Sequence, residues 1–193
     1  GQAWYVGNPK LFEGQGADLS AVQTQIAQLQ EDGKTVVLVG NTTGIRGLLA
    51  LQDRIRAEAK QAIAALHALG LRTVMLTGDN ARTAQAFAGT LGIDDVRADL
   101  KPDDKVRAVG QLEREHGAVL MVGDGVNDAP ALAAATCGMA MGVAGSDAAI
   151  EAADIALMAD DLRKVEEALR LGRKARRVSM QNIIFSIAIL AAM

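Results

Sequence analysis

Between Gly33 and Asp161, short β-rich apolar runs alternate with stretches of helical periodicity, and that rhythm leaves few architectures open. The runs expected as strands are Thr35–Val39, Leu48–Leu51, Leu71–Leu76, Val96–Ala98, Ala118–Val122, Met139–Met141 and Ile155–Met158. The stretches expected as helices are Arg54–Leu69, Ala81–Leu91, Pro102–His116, Asp128–Ala134, Asp147–Ala152 and Asp161–Arg177. In the first helix Ile55, Ala59, Ile63, Leu66 and Leu69 recur at helical spacing, and Gly70 stops it. Strands that alternate with helices imply βαβ units, hence an α/β fold with a mostly parallel, Rossmann-like sheet flanked by helices.

The first 45 residues break the rhythm. Trp4–Val6 reads as a strand and Leu19–Gln30 as a helix, with Gly7, Asn8, Pro9, Gly14 and Gly16 as punctuation. This piece is too short to hold a core of its own, so it reads as an incomplete α+β remnant, with a boundary near Arg46–Asp53. The chain as a whole is 50% apolar and carries 20 Lys+Arg against 23 Asp+Glu, for a formal charge of −3. That balance argues against a general nucleic-acid binder, and 3% aromatics leave little for base stacking. One cysteine, Cys137, excludes an internal disulfide framework. It is expected to be a small buried hydrophobe, because His67 and His116 fall on separate helices and offer it no ligand partner.

The C-terminal end has a different character. Val178–Met193 contains no charged residue, and Arg163, Lys164, Arg170, Arg173, Lys174, Arg176 and Arg177 precede it. A basic cluster abutting an apolar run is the pattern of a cytoplasmic membrane boundary. A span needs roughly 20 apolar residues, so residues 178–193 are expected to be only the start of a transmembrane helix. The competing expectation is a final amphipathic helix packed on the body.

Ligand sites in open α/β sheets lie beyond the carboxyl ends of strands, and three polar clusters fall there. Thr77-Gly78-Asp79-Asn80 offers a hydroxyl and backbone N–H groups leading into a helix, which suits a phosphate; a plain helix N-cap explains it as well. Gly123-Asp124-Gly125-Val126-Asn127-Asp128-Ala129-Pro130 crowds two carboxylates and an amide into a glycine turn. Like charges at that density call for a cation, and hard oxygen ligands suit Mg²⁺; a turn with Asp128 as helix cap is the alternative, which leaves Asp124 without a task. Lys101-Pro102-Asp103-Asp104-Lys105 places a lysine in the first turn of a helix, where it can reach a phosphoryl oxygen or simply be solvated. Together they describe a phosphoryl-transfer pocket: Thr77 and Gly78 as donors, Lys105 as cation, Asp124 on Mg²⁺, Asn127 and Asp128 in support.

MLTGDN, KPDDK and VGDGVNDAPAL, in this order and spacing, resemble the phosphorylation domain of P-type ATPases, a branch of the haloacid-dehalogenase-like fold. The resemblance covers essentially the whole chain. It implies residues 1–45 as the end of a nucleotide-binding domain, 46–177 as the phosphorylation domain, and 178–193 as entry into the next membrane helix. It implies Thr77, Gly78, Asp79 and Lys105 as catalytic residues, and Asp124, Asn127 and Asp128 at the Mg²⁺. Gly7-Asn8 resembles the Gly-Asn pair on the ATP pocket of the heavy-metal subgroup, and Asp53 and Arg56 resemble its interdomain hinge. Met141-Gly142-Val143-Ala144-Gly145-Ser146-Asp147, with Glu151 to Asp154, also resembles that subgroup. The implied cofactors are Mg²⁺ and ATP. The implied cargo is a divalent transition metal (zinc, cobalt, cadmium, nickel or iron), moved out across the cell membrane with this part on the cytoplasmic face. Many zinc, cadmium and lead pumps carry a lysine near the position of Leu190; its absence here leans toward the cobalt/zinc/nickel/iron branch.

The family phosphorylates an aspartate in a DKTGT motif, which does not occur in these 193 residues. The expectation is therefore a fragment of a pump that does not turn over alone, the phosphorylated aspartate lying elsewhere. Two alternatives stand beside it. A soluble Mg²⁺-dependent phosphatase of the same fold would need an Asp-x-Asp nucleophile, also absent from this sequence. A non-catalytic binding or regulatory module would keep the fold and the cation loop alone.

Overall fold

The computed structural model describes residues 3–41, 43–52, 55–124, 126–142 and 147–192. Its N-terminal layer is an antiparallel sheet in the order β1 (Tyr5–Gly7), β2 (Thr35–Asn41), β3 (Gly44–Leu51). Two helices, α1 (Pro9–Gly14) and α2 (Gln23–Glu31), lie between β1 and β2. Helix α1 is absent from the expectation above, which took Asn8 and Pro9 for turn residues. The Asn8 Oδ1 accepts from Leu11 N at 2.9 Å and Pro9 opens the helix, the usual division of labour between N-cap and first position. Phe12 on α1 is fully buried with Val36 and Leu38, and Tyr5 meets it edge to face at 6.4 Å. Strand β3 pairs with β2 from Asn41↔Gly44 to Thr35↔Leu51, so this layer runs past residue 45. The apolar run Leu48–Leu51 serves the hairpin rather than the parallel body, because its partner Val36–Leu38 lies a short turn away.

The α/β body follows: α3 (Ala57–Ala68), β4 (Val74–Leu76), α4 (Ala81–Leu91), β5 (Asp95–Arg97), α5 (Pro102–His116) and β6 (Leu120–Gly123). A 3-10 turn (Val126–Asp128), α6 (Ala129–Ala134), β7 (Cys137–Met141), α7 (Asp147–Ala152), β8 (Ile155–Leu157) and α8 (Arg163–Ala192) complete it. All its strand pairs are parallel, as expected, but they form two sheets, β4–β5 and β6–β7–β8. Pleat alternation sorts the larger sheet's side chains. Met121 and Ala140 face α5, α6 and α7 with Val109, Leu132 and Ala149, while Leu120, Val122, Met139 and Met141 face Leu66, Val165 and Leu169 of α3 and α8.

Strands β4 and β6 are not hydrogen-bonded to each other. They flank an apolar cavity of about 510 Å³, roofed by Ile63 and Leu66 of α3 on one side and floored by Val109 and Leu112 of α5 on the other. The cavity thus lies at the level of the sheets, between two open strand edges and between two helix layers. A two-stranded parallel sheet with one bare edge is an unusual unit, since parallel sheets are ordinarily larger and covered.

Helices α3 and α8 run side by side in the same direction. Arg56, at the N-cap of α3, pairs with Asp160, and Arg173 donates to the Leu69 carbonyl at the other end at 2.9 Å. Helix α8 runs unbroken to Ala192, so the stretch expected to end at Arg177 and the helix expected to begin at 178 are one, because nothing in the apolar run breaks it. Past Arg173 it extends by roughly 28 Å at 1.5 Å per residue, with Ile184, Phe185 and Leu190 exposed. Among the described residues no helix is long and apolar enough to cross a membrane.

Candidate functional site

Two polar loops follow β4 and β6, the strands that flank the cavity. One follows β4. Thr77 N donates to the Arg97 carbonyl, Leu100 N to the Thr77 carbonyl and Asp99 N to the Asp79 carbonyl, so the loops after β4 and β5 are sewn together. Gly78 sits against this seam: a Cβ there would meet the Leu100 carbonyl at 3.3 Å. Thr77 Oγ1 donates to Asp79 Oδ2 at 2.9 Å and accepts from Asp79 N at 3.1 Å, closing a small turn that presents the hydroxyl at the strand end. Asn80 then caps α4 through Thr83 N, and its amide donates to the buried Thr83 hydroxyl. Asp99 is a non-glycine residue at φ 58°, and its carboxylate takes Lys10 of the N-terminal layer at 2.6 Å.

The other loop follows β6. Asp124 and Asn127 are exposed, and Asp128 folds back over the strand end. Glycine at 123 is what admits it: a Cβ there would lie 2.8 Å from Asp128 Cβ and 3.0 Å from its Oδ2. Asp128 Oδ1 accepts from Lys105 Nζ at 2.6 Å, and both side chains are more than four-fifths buried. Lys105 stands in the first turn of α5, where Asp104 reaches back to Lys101 N at 3.0 Å and Pro102 fixes the start. The lysine, expected to reach a phosphoryl oxygen or solvent, here meets the acidic loop directly.

The other site expectations distribute as follows. Lys105 meets Asp128, which shares a loop with Asp124 and Asn127, and Thr77, Gly78 and Asp79 follow β4 of the other sheet. All lie at carboxyl ends of parallel strands or in the helix turn that follows. Gly7 and Asn8 lie in the N-terminal layer. A Cβ on Gly7 would come 2.4 Å from Leu11 Cδ2, the movable end of an exposed side chain. Arg56 is tied to Asp160 by both side chain (2.7 Å) and carbonyl (3.1 Å). Asp53, Gly125 and residues 143–146 lie outside the described residues. Sequence reading missed Asp160, Lys10 and Asp99, whose partners lie 89 or more residues away.

Hard oxygen donors suit Mg²⁺, which typically takes one or two carboxylates and completes its shell with water and phosphate. Asp124 is the solvent-facing carboxylate of the loop, while Asp128 is committed to Lys105. Among the described residues no group of three or more His, Cys, Asp or Glu side chains is placed to hold a metal by itself. One solvent-facing carboxylate with an exposed amide in the same loop is a hard-oxygen donor set of the kind Mg²⁺ completes with water and phosphate. Cys137 is partly buried at the start of β7; burial first, and then Asp154, push its thiol above the ordinary value, toward an inert side chain.

The haloacid dehalogenase-like hydrolase family matches residues 1–136. A probable cadmium-transporting ATPase of Staphylococcus aureus (strain MRSA252) is 47% identical over 192 residues, covering 98% of this chain and 26% of that protein. A zinc-transporting ATPase of Bacillus subtilis (strain 168) is 43% identical over 190 residues, covering 98% and 30%. The crystal structure of a zinc-transporting PIB-type ATPase in its E2.Pi state superposes with a TM-score of 0.71 at 42% identity, over 95% of this chain and 29% of that one. The chain spans about a quarter of the length of the first two curated relatives of this kind.

Proposed function

The chain belongs to the haloacid dehalogenase-like hydrolases, in the heavy-metal P-type ATPase branch, and from that premise we propose that it supplies the phosphate-handling half of an ATP-driven metal-exporting pump. The observation that carries the reading is the Lys105–Asp128 contact in the loop after β6, with Thr77 in the loop after β4, the two strands flanking one apolar cavity. In this reading an apolar strand of the longer polypeptide fills the slot between β4 and β6. It carries the acceptor aspartate to the slot's mouth, between the two polar loops. Lys105, held by Asp128, neutralises a phosphoryl oxygen; the Thr77 hydroxyl, turned from Asp79, and the Gly78 N–H donate to others; Asp124, with Asn127 beside it, would hold Mg²⁺. When bound, Mg²⁺ offsets charge on the transferred group. The aspartate carboxylate takes the γ-phosphoryl group as the β,γ P–O bond breaks and ADP leaves, and water later releases it as inorganic phosphate, so positioning and charge do most of the work.

Gly7 and Asn8 would border the ATP pocket, and residues 52–56, with Asp53 and Arg56, would be the joint between nucleotide layer and body. The exposed apolar end of α8, behind its basic stretch, would enter the membrane from the cytoplasmic side. Cadmium and zinc, named for the relatives above, are the favoured cargo over cobalt, nickel or iron. The test is phosphorylation of the full-length protein with γ-labelled ATP and Mg²⁺ in membranes. An acid-stable, hydroxylamine-sensitive label that responds to cadmium or zinc and falls at least about tenfold in Lys105→Met is expected. No such label in the parent protein would defeat the pump reading.

A further inference from the structure

We propose that Asp160 is a positioning residue for cation binding at Asp124, acting through Arg56. Register brings the three together. Gly123 pairs with Ala140 and Ala140 with Ala156, so the ends of β6 and β8 lie two strands apart, about 10 Å, at the same carboxyl edge. Asp124 follows the first strand and Asp160 the second. Arg56, entering from the N-cap of α3, is held at that edge by two bonds from Asp160, one to its carboxylate and one to its carbonyl. Arg173 on the Leu69 carbonyl and the apolar seam around Leu66, Val165 and Leu169 keep α3 and α8 in register beneath it. The guanidinium is stabilised first by Asp160 and, more weakly, by the charges of Glu58 and Asp124, which places it within Coulombic reach of the cation carboxylate.

Asp161, the next residue, does something else. It grips Arg163 through both carboxylate oxygens and accepts from Arg163 N at the head of α8. Each of the two adjacent acids thus has its own arginine, and only Asp160 governs Arg56. A divalent cation on Asp124 is repelled by an uncompensated Arg56, and an untethered Arg56 competes with it for the carboxylate. Asp160 cancels that charge and holds it off. This inference rests on Asp124 as the cation ligand, as read above.

Equilibrium Mn²⁺ binding to the full-length protein, followed by the EPR signal of free Mn²⁺ at low salt, separates the possibilities. Asp124→Ala first identifies the site; if it leaves Mn²⁺ binding unchanged, the ligand reading itself fails and this inference falls with it. With that site established, Asp160→Asn is expected to weaken Mn²⁺ roughly three- to tenfold, less at high salt. Asp160→Glu and Asp161→Asn should stay within about twofold of the parent, and adding Arg56→Met to Asp160→Asn should restore binding. Arg56→Met alone should bind as tightly as the parent or tighter, which keeps the test open if Asp160→Asn does not fold. Unchanged affinity in Asp160→Asn, an equal loss in Asp161→Asn, or a loss in Arg56→Met would overturn the assignment.

Discussion

Gly123→Ala isolates the geometry on which the site depends. The added methyl would lie 2.8 Å from Asp128 Cβ, 3.0 Å from Oδ2 and 3.1 Å from Cγ, so Asp128 has to move. Its Oδ1 is bound to Lys105 at 2.6 Å in a mostly buried pair, so the movement strains or breaks that bond. Overpacking of this kind costs about 1–3 kcal/mol. Gly89→Ala, inside α4 with nothing within 4 Å of the added atom, is the control and should stabilise by about 0.5–1 kcal/mol. Urea unfolding followed by circular dichroism gives both values. Repeating Gly123→Ala in a Lys105→Met background completes a double-mutant cycle. With no lysine to hold it, Asp128 yields more easily, and the cost of the methyl should fall by about 1 kcal/mol. Additivity within about 0.5 kcal/mol, or a Gly123→Ala protein as stable as Gly89→Ala, would refute the claim that glycine is there to seat Asp128 on Lys105.

Three further outcomes follow from the same structure. The Asp161 carboxyl is drawn down from 3.8 to about 2, chiefly by hydrogen bonds from the Arg163 side chain and backbone; its stabilisation is therefore complete above about pH 4 and is lost as pH falls toward 2, and Asp161→Asn should flatten that part of the stability–pH curve. Phe12→Ala, at a fully buried ring in the N-terminal core, should cost about 3–5 kcal/mol in a urea melt and preferentially release the N-terminal layer to hydrogen exchange. Cys137, with its thiol pushed upward by burial, should react with a disulfide reagent at pH 7.5 far more slowly than in the urea-unfolded chain; equal rates would contradict its placement.

What the sequence disclosed follows from how far apart the interacting residues lie. Helices α4 and α5 were legible to the residue, because Asn80 and Pro102 open them and Gly92 and Gly117 close them, all local signals. Strand β4 is shorter than the run Leu71–Leu76 suggests, since only Val74–Leu76 finds a partner, in β5. Helix α1 was missed because Asn8 and Pro9 serve turns and helix starts equally well. The residue types of the site could be read from TGDN, KPDDK and GDGVND, but the Lys105–Asp128 contact, across 23 residues, could not. Arg56–Asp160 joins residues 104 positions apart, a distance at which one sequence carries no local signal. The division into two parallel sheets was equally hidden, because pattern specifies that a strand forms and not which edges remain open.

The most direct measurement is to map the phosphorylated residue. The full-length protein would be labelled with γ-labelled ATP and Mg²⁺, quenched in acid, digested and sequenced by mass spectrometry; the isolated 193-residue chain would be treated in parallel. The predicted result is one acyl phosphate on an aspartate outside these residues, with none on the isolated chain, because Thr77, Lys105 and Asp124 can hold a phosphate but do not accept it. A hydroxylamine-sensitive label on Asp79, Asp124 or Asp128 would make one of these carboxylates the nucleophile and contradict the assignment of the whole site.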